Sequence, residues 1–442
     1  MRKIKSPTLH CAAVLGLVSI VSLGGACTQK SLLAGDAVQP TDAKTEKAVT
    51  TTGGTSPQIE AAQKLIEKAP DAANGYNRLA AVYIRQARET GDFSLNSKAE
   101  ANVSRALEKE PNNSDSLKLK ASLLLTFHRF KEALDFAAGL QKQYPRDSFV
   151  YGVLTDANVE LGNYPEAVNT AQMMVDLKPN TESYSRVSYI RSLHGATEGA
   201  IEAMKHAARI ADPRDKEAQA WCLVHLGDEY FKVGRYREAE NSFDEALQIL
   251  PDYYLALAGK GRVRAAQNDF ETGIKFLTAA QNRVPLTDTA ISLGDIYTRI
   301  NNREEAQKQY DLAQFIEQKF DNTEQRTLAL FWADRDMKLD EALEIARRES
   351  AARKDIYTAD ILAWCLYKKG DFADAKKAIT DAMRLKTKDA RILYHAGMIE
   401  KALGNRKAAA QLLKQSLEIN PAFDFVQSEN AKLALNELSR NA

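Results

Sequence analysis

The chain has 442 residues, with 60 Lys and Arg against 59 Asp and Glu, so its formal net charge is +1. This balance provides no long-range field that would attract nucleic acid or an anionic surface, and we expect no nucleic-acid partner. Apolar residues make up 44% of the chain and charged residues 27%, a composition typical of a folded helical protein.

The first segment predicts export from the cell. Three basic residues within the first five precede 13 uncharged and largely apolar residues, from Cys11 to Leu23. This is the layout of a signal peptide. Thirteen helical residues extend about 20 Å, which is short for a hydrocarbon core about 30 Å thick. We therefore expect residues 1–26 to be a signal peptide rather than a membrane-spanning helix.

Residues 23–27, with the sequence LGGAC, resemble a bacterial lipoprotein box, in which the cysteine is acylated and becomes the mature N-terminus. The resemblance implies lipidation at Cys27 and a periplasmic or cell-surface location. Thr28, where inner-membrane retention uses an Asp, implies an anchor in the outer membrane. Gly24 departs from the aliphatic residue that the family prefers. The alternative is plain secretion after cleavage at Ala26, because Gly24 and Ala26 satisfy the small-x-small rule of ordinary signal peptidase.

Three segments outside the main array have their own patterns. Residues 27–56 are rich in Thr, Ala, Gly and Ser, and they bury too little apolar surface to fold, so we expect a disordered tether. Residues 57–72 are amphipathic and predict a helix that caps the N-terminal end of a repeat array. Residues 422–442 predict the corresponding C-terminal cap, as one helix that begins at Phe423.

Regularly spaced prolines predict a repeat of 34 residues across residues 73–421. Pro111, Pro145 and Pro179 are 34 residues apart, and Pro251 and Pro285 have the same spacing. Proline cannot continue a helix, so it ends the second helix of each unit at the same place. A period of 34 residues is the length of a helix-turn-helix unit, and about ten such units fit this range.

The segment from Ala220 to Pro251 has the most complete pattern. Its signature residues are Leu226, Gly227, Tyr230, Gly234, Tyr236, Ala239, Phe243 and Ala246. The pattern resembles the tetratricopeptide repeat family, and the resemblance implies an all-α fold, an α-solenoid coiled as a right-handed superhelix. Small residues are expected where two helices approach closely, and the aromatic residues are expected to fill the remaining gaps.

In this family the first helix of each unit lines a concave groove. Carried onto this chain, the register implies a partner-binding groove formed by Trp221, Asp228, Phe231, Arg262, Asp295, Tyr357, Asp360, Trp364, Tyr367 and Tyr394. Aromatic groups beside isolated charges are typical anchors of protein partners. The alternative for Trp221, Trp364 and Tyr367 is packing between neighbouring repeats, which is common for aromatic residues at helical spacing.

The sequence contains no catalytic or metal-binding pattern. Six dispersed histidines lack any paired-ligand spacing, and no nucleophile lies beside a base in a known motif. We therefore predict that the protein is not an enzyme and binds neither a metal nor a cofactor. Cys222 and Cys365 are predicted to be buried thiols without a disulfide, because we expect the repeat array to be elongated and to hold them far apart.

These predictions together favour a non-catalytic scaffold of the bacterial cell envelope that binds a protein or peptide partner in its groove. A lipid on Cys27 would hold it at a membrane. The alternative is an envelope protein that binds a glycan or another small ligand, with groove aromatics stacked on sugar faces.

Overall fold

The computed structural model describes residues 56–320 and 325–440. The predicted signal peptide, Cys27 and nearly all of the predicted tether lie outside the described residues. The described residues form 22 α-helices and no β-strand, which confirms the predicted all-α fold. None of these helices combines the length and the apolar composition that a membrane span requires.

Twenty of the helices form ten consecutive pairs, with one single helix before the first pair and one after the last. In chain order the helices are α1 (Pro57–Lys68), α2 (Ala73–Thr90), α3 (Leu95–Lys109), α4 (Ser114–Thr126), α5 (Phe130–Gln143), α6 (Ser148–Glu160), α7 (Tyr164–Leu177), α8 (Thr181–His194), α9 (Thr197–Ile210), α10 (Lys216–Lys232), α11 (Tyr236–Ile249), α12 (Tyr254–Ala266), α13 (Phe270–Arg283), α14 (Thr287–Arg299), α15 (Arg303–Phe320), α16 (Arg326–Asp334), α17 (Leu339–Ala352), α18 (Ile356–Lys368), α19 (Phe372–Ala382), α20 (Ala390–Ala402), α21 (Arg406–Ile419) and α22 (Gln427–Arg440).

A residue with positive φ lies between the two helices of every pair. Glycine occupies this position in six of the ten pairs, including Gly234, which has a φ of 71°. Asn268 and Asn301 have the same role in the next two pairs, because asparagine tolerates the left-handed region better than most residues with a Cβ. Pro251 and Pro285 each lie two residues after the last residue of a second helix. The period and the turns are therefore as the sequence predicts.

Small residues allow close helix packing in the repeat formed by α10 and α11. A Cβ atom at Gly227 would lie 2.6 Å from Cε1 of Phe243, and a Cβ atom at Gly259 on α12 would lie closer still to the same ring. Phe243 is fully buried, and so are Ala239 and Ala246. The expectation that small residues mark close helix contacts is confirmed for this repeat.

The described helices divide into two compact units, and the boundary falls within α5. The N-terminal unit comprises residues 56–137. In it, a side chain of α2 forms hydrogen bonds with the residue that precedes α4 and with the first turn of α4. Asn77 Nδ2 donates a hydrogen bond to Asn113 Oδ1 (3.0 Å), and Ser116 Oγ donates one to Asn77 Oδ1 (2.8 Å). Asn77 and Ser116 are buried, so these bonds satisfy polar groups inside the stack.

The C-terminal unit, from residue 138 onward, closes on itself along a line of contacts that we name the seam. Residues at helix ends in three early pairs form hydrogen bonds with residues at the start of, or between, later helices, 184 to 194 residues further along the chain. The backbone–side-chain hydrogen bonds are Ile356 N–H to Tyr164 Oη (2.9 Å), Thr387 Oγ1–H to the Leu193 carbonyl (3.0 Å) and Asn420 Nδ2–H to the Phe231 carbonyl (2.9 Å). The repeating spacing of these bonds shows that consecutive pairs of one coil contact consecutive pairs of the next.

Charged and apolar side chains extend the seam. Glu160 and Arg353 form an ion pair in which both side chains are less than 10% exposed. Tyr236 Oη donates a hydrogen bond to Asn420 Oδ1 (2.6 Å). Buried residues of α6–α8 join those of α16–α22 in a single hydrophobic cluster. This unit is therefore a closed coil with a shared core, which differs from the elongated array that the sequence led us to expect.

The two cysteines in the described residues, Cys222 and Cys365, are free and buried, as predicted. Burial raises the pKa of Cys222 far above its usual range and the pKa of Cys365 to about 12. Both thiols are therefore protonated near neutral pH and pack as small apolar groups.

The C-terminal helix begins at Gln427 rather than at the predicted Phe423. The reason is the Asp424 carboxylate, which accepts hydrogen bonds from the backbone N–H groups of Val426 (2.8 Å) and Gln427 (2.6 Å) and so caps α22. Residues 422–425 consequently form a connecting segment outside the helix, and this segment contributes to the site described below.

Candidate functional site

The first helices of three consecutive pairs, α10, α12 and α14, line a cavity of about 130 Å³ together with residues 422–425. Its apolar lining includes Val224, Phe231, Leu255, Leu286, Ile291 and Phe423. Its ionisable lining consists of His225, Asp228, Arg262, Asp288, Asp295 and Asp424. An apolar cavity with a few converging polar groups is the usual form of a binding site.

Helical periodicity places the lining residues on the same face of each first helix. On α10 the lining residues include Val224, Asp228 and Phe231, and on α14 they include Asp288 and Asp295. Spacings of three, four and seven residues return to one side of an α-helix. The cavity therefore uses equivalent faces of three repeats.

Two of the cavity carboxylates have an arginine partner. Asp228 Oδ1 accepts a hydrogen bond from Arg262 (2.7 Å), and the Arg262 guanidinium lies 5.3 Å from the centre of the Phe231 ring. Asp295 is paired with Arg335 and accepts a hydrogen bond from Tyr310 Oη (2.7 Å). Burial raises the pKa of Asp295 to about 7, and Arg335 opposes that rise.

The other two carboxylates are not in ion pairs within the described part of the chain. Asp424 accepts the two backbone hydrogen bonds at the start of α22. The half-buried Asp288 carboxylate has no hydrogen-bond partner among residues 56–320 and 325–440. Burial raises the pKa of Asp288, because a carboxylate removed from water favours its neutral form, and the more distant charges of Arg262 and Arg391 only partly oppose that rise.

His225 forms the side of the cavity next to Trp221. The two ring centres are 3.8 Å apart, and His225 Nδ1 lies 3.7 Å from Oδ2 of Asp228. Burial lowers the pKa of His225 to about 4, so the imidazole is neutral near pH 7. Its Nε2 atom is buried and has no hydrogen-bond partner in the described structure.

Four of the predicted groove residues line the cavity, and we name them the cavity face: Asp228, Phe231, Arg262 and Asp295. Trp221 lies just behind this face, where its ring contacts His225. Asp228 and Arg262 keep 14% and 17% of their side-chain surface exposed, so the cavity is open to solvent.

Four other predicted groove residues lie inside the core, and we name them the filled face: Tyr357, Asp360, Trp364 and Tyr394. Each is at most 4% exposed. Trp364 Nε1 donates a hydrogen bond to Asp334 (2.8 Å), and Tyr394 Oη donates one to Gln427 Oε1 (2.9 Å). These side chains are used within the chain's own packing.

The remaining contacts of the filled face are equally internal. His395 Nδ1 lies 2.8 Å from Asp360 Oδ1, and its ring stacks on Trp364 with 4.1 Å between ring centres. Tyr367, the last predicted groove residue, is half-buried. Its ring stacks on the Trp364 ring, with 4.8 Å between the ring centres. Within the described residues, no three His, Cys, Asp or Glu side chains are arranged to hold a metal ion.

Sequence reasoning missed the contribution of residues 422–425 and the role of His225. Phe423 and Phe425 flank Asp424 shortly after Pro421, and two large aromatic residues so close together indicate a segment that packs against other residues. His225 lies three residues before Asp228, on the same side of α10. These two signals could have directed attention to the cavity.

Sequence comparison identifies the class of repeat. The profile described as tetratricopeptide repeat matches residues 220–253 and residues 390–423. The first match covers α11 and all of α10 except its first four residues, and the second covers α20 and α21. The chain therefore contains tetratricopeptide repeats.

The chain has low sequence identity to a curated relative and to similar solved structures. Over 258 residues the chain is 22% identical to Anaphase-promoting complex subunit 3 of Schizosaccharomyces pombe, which covers 55% of this chain and 38% of that protein. The chain thus spans well under half of that relative's length. A tetratricopeptide repeat protein from Parabacteroides merdae is 19% identical, with a TM-score of 0.35, over 59% of this chain and 98% of the other. Yeast Tom70 is 16% identical, with a TM-score of 0.38, over 87% of this chain and 85% of the other.

Proposed function

We propose that this protein is a non-catalytic scaffold that binds a protein or peptide partner at its cavity face. The observation that carries the proposal is the cavity itself, which presents apolar walls and carboxylates on equivalent faces of three repeats. Such a surface combines burial of apolar area with charge selection, as protein interfaces do at their centres.

The dimensions of the cavity favour a peptide side chain over the alternative of a glycan. Pockets that enclose whole small ligands are typically about 300–1,000 Å³, whereas this cavity is about 130 Å³. Three phenylalanines line the cavity. Phe231 and Phe423 are 4% and 8% exposed and offer no open ring face on which a sugar could stack, which leaves only the half-buried Phe425 for such a contact.

Site-specific photocrosslinking in the native cells tests the proposal. A photoreactive amino acid at Leu286, a half-buried residue of the cavity lining, should crosslink one protein partner in stoichiometric yield. The matched control is the same amino acid at Glu271, an exposed residue on the second helix α13. Crosslinking of the same proteins from both positions, or of none from Leu286, would contradict a partner site at the cavity.

We further propose that the protein is exported and held in the outer membrane by a lipid on Cys27. What supports this is the sequence alone: a basic start, an apolar stretch and the LGGAC segment. Metabolic labelling with an alkyne fatty acid should mark the wild-type protein, and Cys27→Ser should remove the label and release the protein from the membrane fraction. Equal labelling of both forms, or an unlabelled wild type, would favour another location.

A further inference from the structure

The cavity has more carboxylates than cations around it. Four aspartates line it, and Arg262 is the single lining residue among the described ones with a permanent positive charge. Arg262 pairs with Asp228, and Arg335, from outside the lining, pairs with Asp295. Asp288 and Asp424 form no ion pair within the described residues. Arg391 acts on Asp288 from beyond ion-pair distance and is shared with Asp360 and Asp389, so the cavity keeps an excess of negative charge that favours a positively charged occupant.

The walls select a cation with an apolar stem. Leu255, Leu286 and Ile291 surround the carboxylates with aliphatic surface. Lysine and arginine side chains have this amphipathic form, since methylene groups carry the charged end. The chain already shows such an arrangement, because Arg262 lies over the Phe231 ring while it bonds to Asp228. A second basic side chain would meet similar surroundings.

The size of the cavity limits the occupant to one side chain. Its volume of about 130 Å³ is close to the roughly 150 Å³ of a protein cavity that holds one benzene molecule. A bare metal ion is a poor match, since the described His, Cys, Asp and Glu side chains form no group of three that could ligate one.

We infer that this cavity is a socket for a single arginine or lysine side chain presented by a peptide segment of the partner. The inference rests on the proposed function and adds the chemistry of what is recognised. The incoming cation lies between Asp288 and Asp424, and its stem packs on the aliphatic walls. Burial now raises the pKa of Asp288, and a cation beside it stabilises the ionised carboxylate.

Titration of the purified full-length chain with short blocked peptides tests the inference. The probes are acetyl-Gly-Arg-Gly-amide, its Lys counterpart and its neutral Gln counterpart, and the readout is the methyl resonances of Leu255, Leu286 and Ile291. We expect saturable shifts with the Arg and Lys peptides and at least about tenfold weaker binding of the Gln peptide. Equal binding of all three peptides, or no shift with any of them, would overturn the inference.

A matched pair of variants localises the interaction. Asp288→Asn should weaken binding of the Arg peptide about tenfold, because it removes the unpaired carboxylate and preserves the shape of the side chain. Asp311→Asn makes the same substitution at an exposed position of α15 and should leave binding unchanged. Circular dichroism of both variants confirms that they fold. Unaltered binding in Asp288→Asn excludes the socket at this position.

The socket and the proposed scaffold fail in different ways. If the Leu286 crosslink yields a partner equally well in wild type and Asp288→Asn while the Arg peptide does not bind, the scaffold stands and the socket is wrong. If the Arg peptide binds and Leu286 yields no partner, the socket stands and the scaffold is wrong.

Discussion

The cavity face and the filled face occupy equivalent positions of the repeat and differ in what lies against them. Asp228 and Arg262 of the cavity face remain partly exposed beside a cavity. Asp360 and Trp364 of the filled face are 0% and 1% exposed. Both sets follow the same helical register, so register alone does not decide which residues are available to a partner.

The two faces differ in which residues pack against them. Neighbouring aromatic rings pack against the filled face: the Trp364 ring stacks on His395, and its centre lies 5.5 Å from that of the Tyr394 ring. Its cluster also includes side chains from α6–α8, which the seam brings near. The cavity face is covered only in part, by residues 422–425. A face of the repeats therefore stays accessible to a partner where residues distant in sequence do not cover it completely.

The largest predicted effect comes from a substitution in the filled face. Trp364→Ala should lower the free energy of unfolding of the C-terminal unit by about 3–5 kcal/mol, because it opens a large internal cavity and deprives Asp334 of a hydrogen-bond donor. Urea unfolding followed by the fluorescence of Trp221 and Trp332, the other two tryptophans, measures the change.

The matched control for that change is Leu286→Ala on the cavity side. We expect it to cost less than about 1.5 kcal/mol, since Leu286 is half-buried and already borders open space. Comparable losses in the two variants would show that the two faces are equally packed, which contradicts the comparison.

The second prediction concerns the seam, which supplies the distant side chains of the filled face. Asn420→Ala should cost about 3 kcal/mol, because the Phe231 carbonyl and the Tyr236 hydroxyl both lose a hydrogen-bond partner at a site that is 2% exposed. The same urea titration measures it. Asn282→Ala, at an exposed position on α13, is the control and should change stability by less than about 0.5 kcal/mol. A seam variant as stable as its control would mean that the seam contributes little.

The third prediction uses the buried imidazole of the cavity. His225 has a pKa of about 4 in the folded chain, whereas an unfolded histidine titrates near 6.5, so acid protonates the unfolded chain first. Its contribution to stability is complete above pH 6.5 and is lost as the pH falls toward 4, by about 2 kcal/mol between pH 7 and pH 5. Asp228, Lys232 and Arg262 are the charged groups that act on this ring.

The measurement is a comparison of wild type with His225→Gln. Asp295, whose pKa is raised to about 7, changes stability in the opposite direction over part of the same range, so the difference between the two proteins is the relevant quantity. We expect the unfolding free energy of His225→Gln to fall less steeply between pH 7 and pH 5. Parallel pH profiles would show that His225 is not the titrating group.

The smallest predicted effect is at the unpaired carboxylate. Asp288→Asn should change the unfolding free energy by less than about 1 kcal/mol, since it removes a favourable charge from the first turn of α14 and also removes the cost of burying that charge. Thermal unfolding at pH 7 gives the value. A large loss of stability would show that Asp288 has a structural role, and the cavity face would then resemble the filled face more closely.

Much of the fold was predictable because its determinants are local. Pro251 and Pro285 end helices wherever they occur in the period, and a left-handed residue such as Gly234 turns the chain within each pair. Gly227 permits the contact with Phe243 that stacks one helix on its neighbour. The burial of Cys222 and Cys365 follows from the same pattern. The sequence also identified four residues of the cavity by register, namely Asp228, Phe231, Arg262 and Asp295.

By itself, the sequence determined the helix pairs, their period and the face that each first helix presents, because these depend on contacts between residues one repeat apart or closer. Only the tertiary structure decided that the C-terminal unit closes along a seam, that Trp364 and Tyr394 are buried, and that residues 422–425 help to enclose a cavity. The physical reason is that the coil's pitch is the sum of many small rotations between successive pairs. No local pattern specifies that sum, and it determines which segments meet after more than 180 residues.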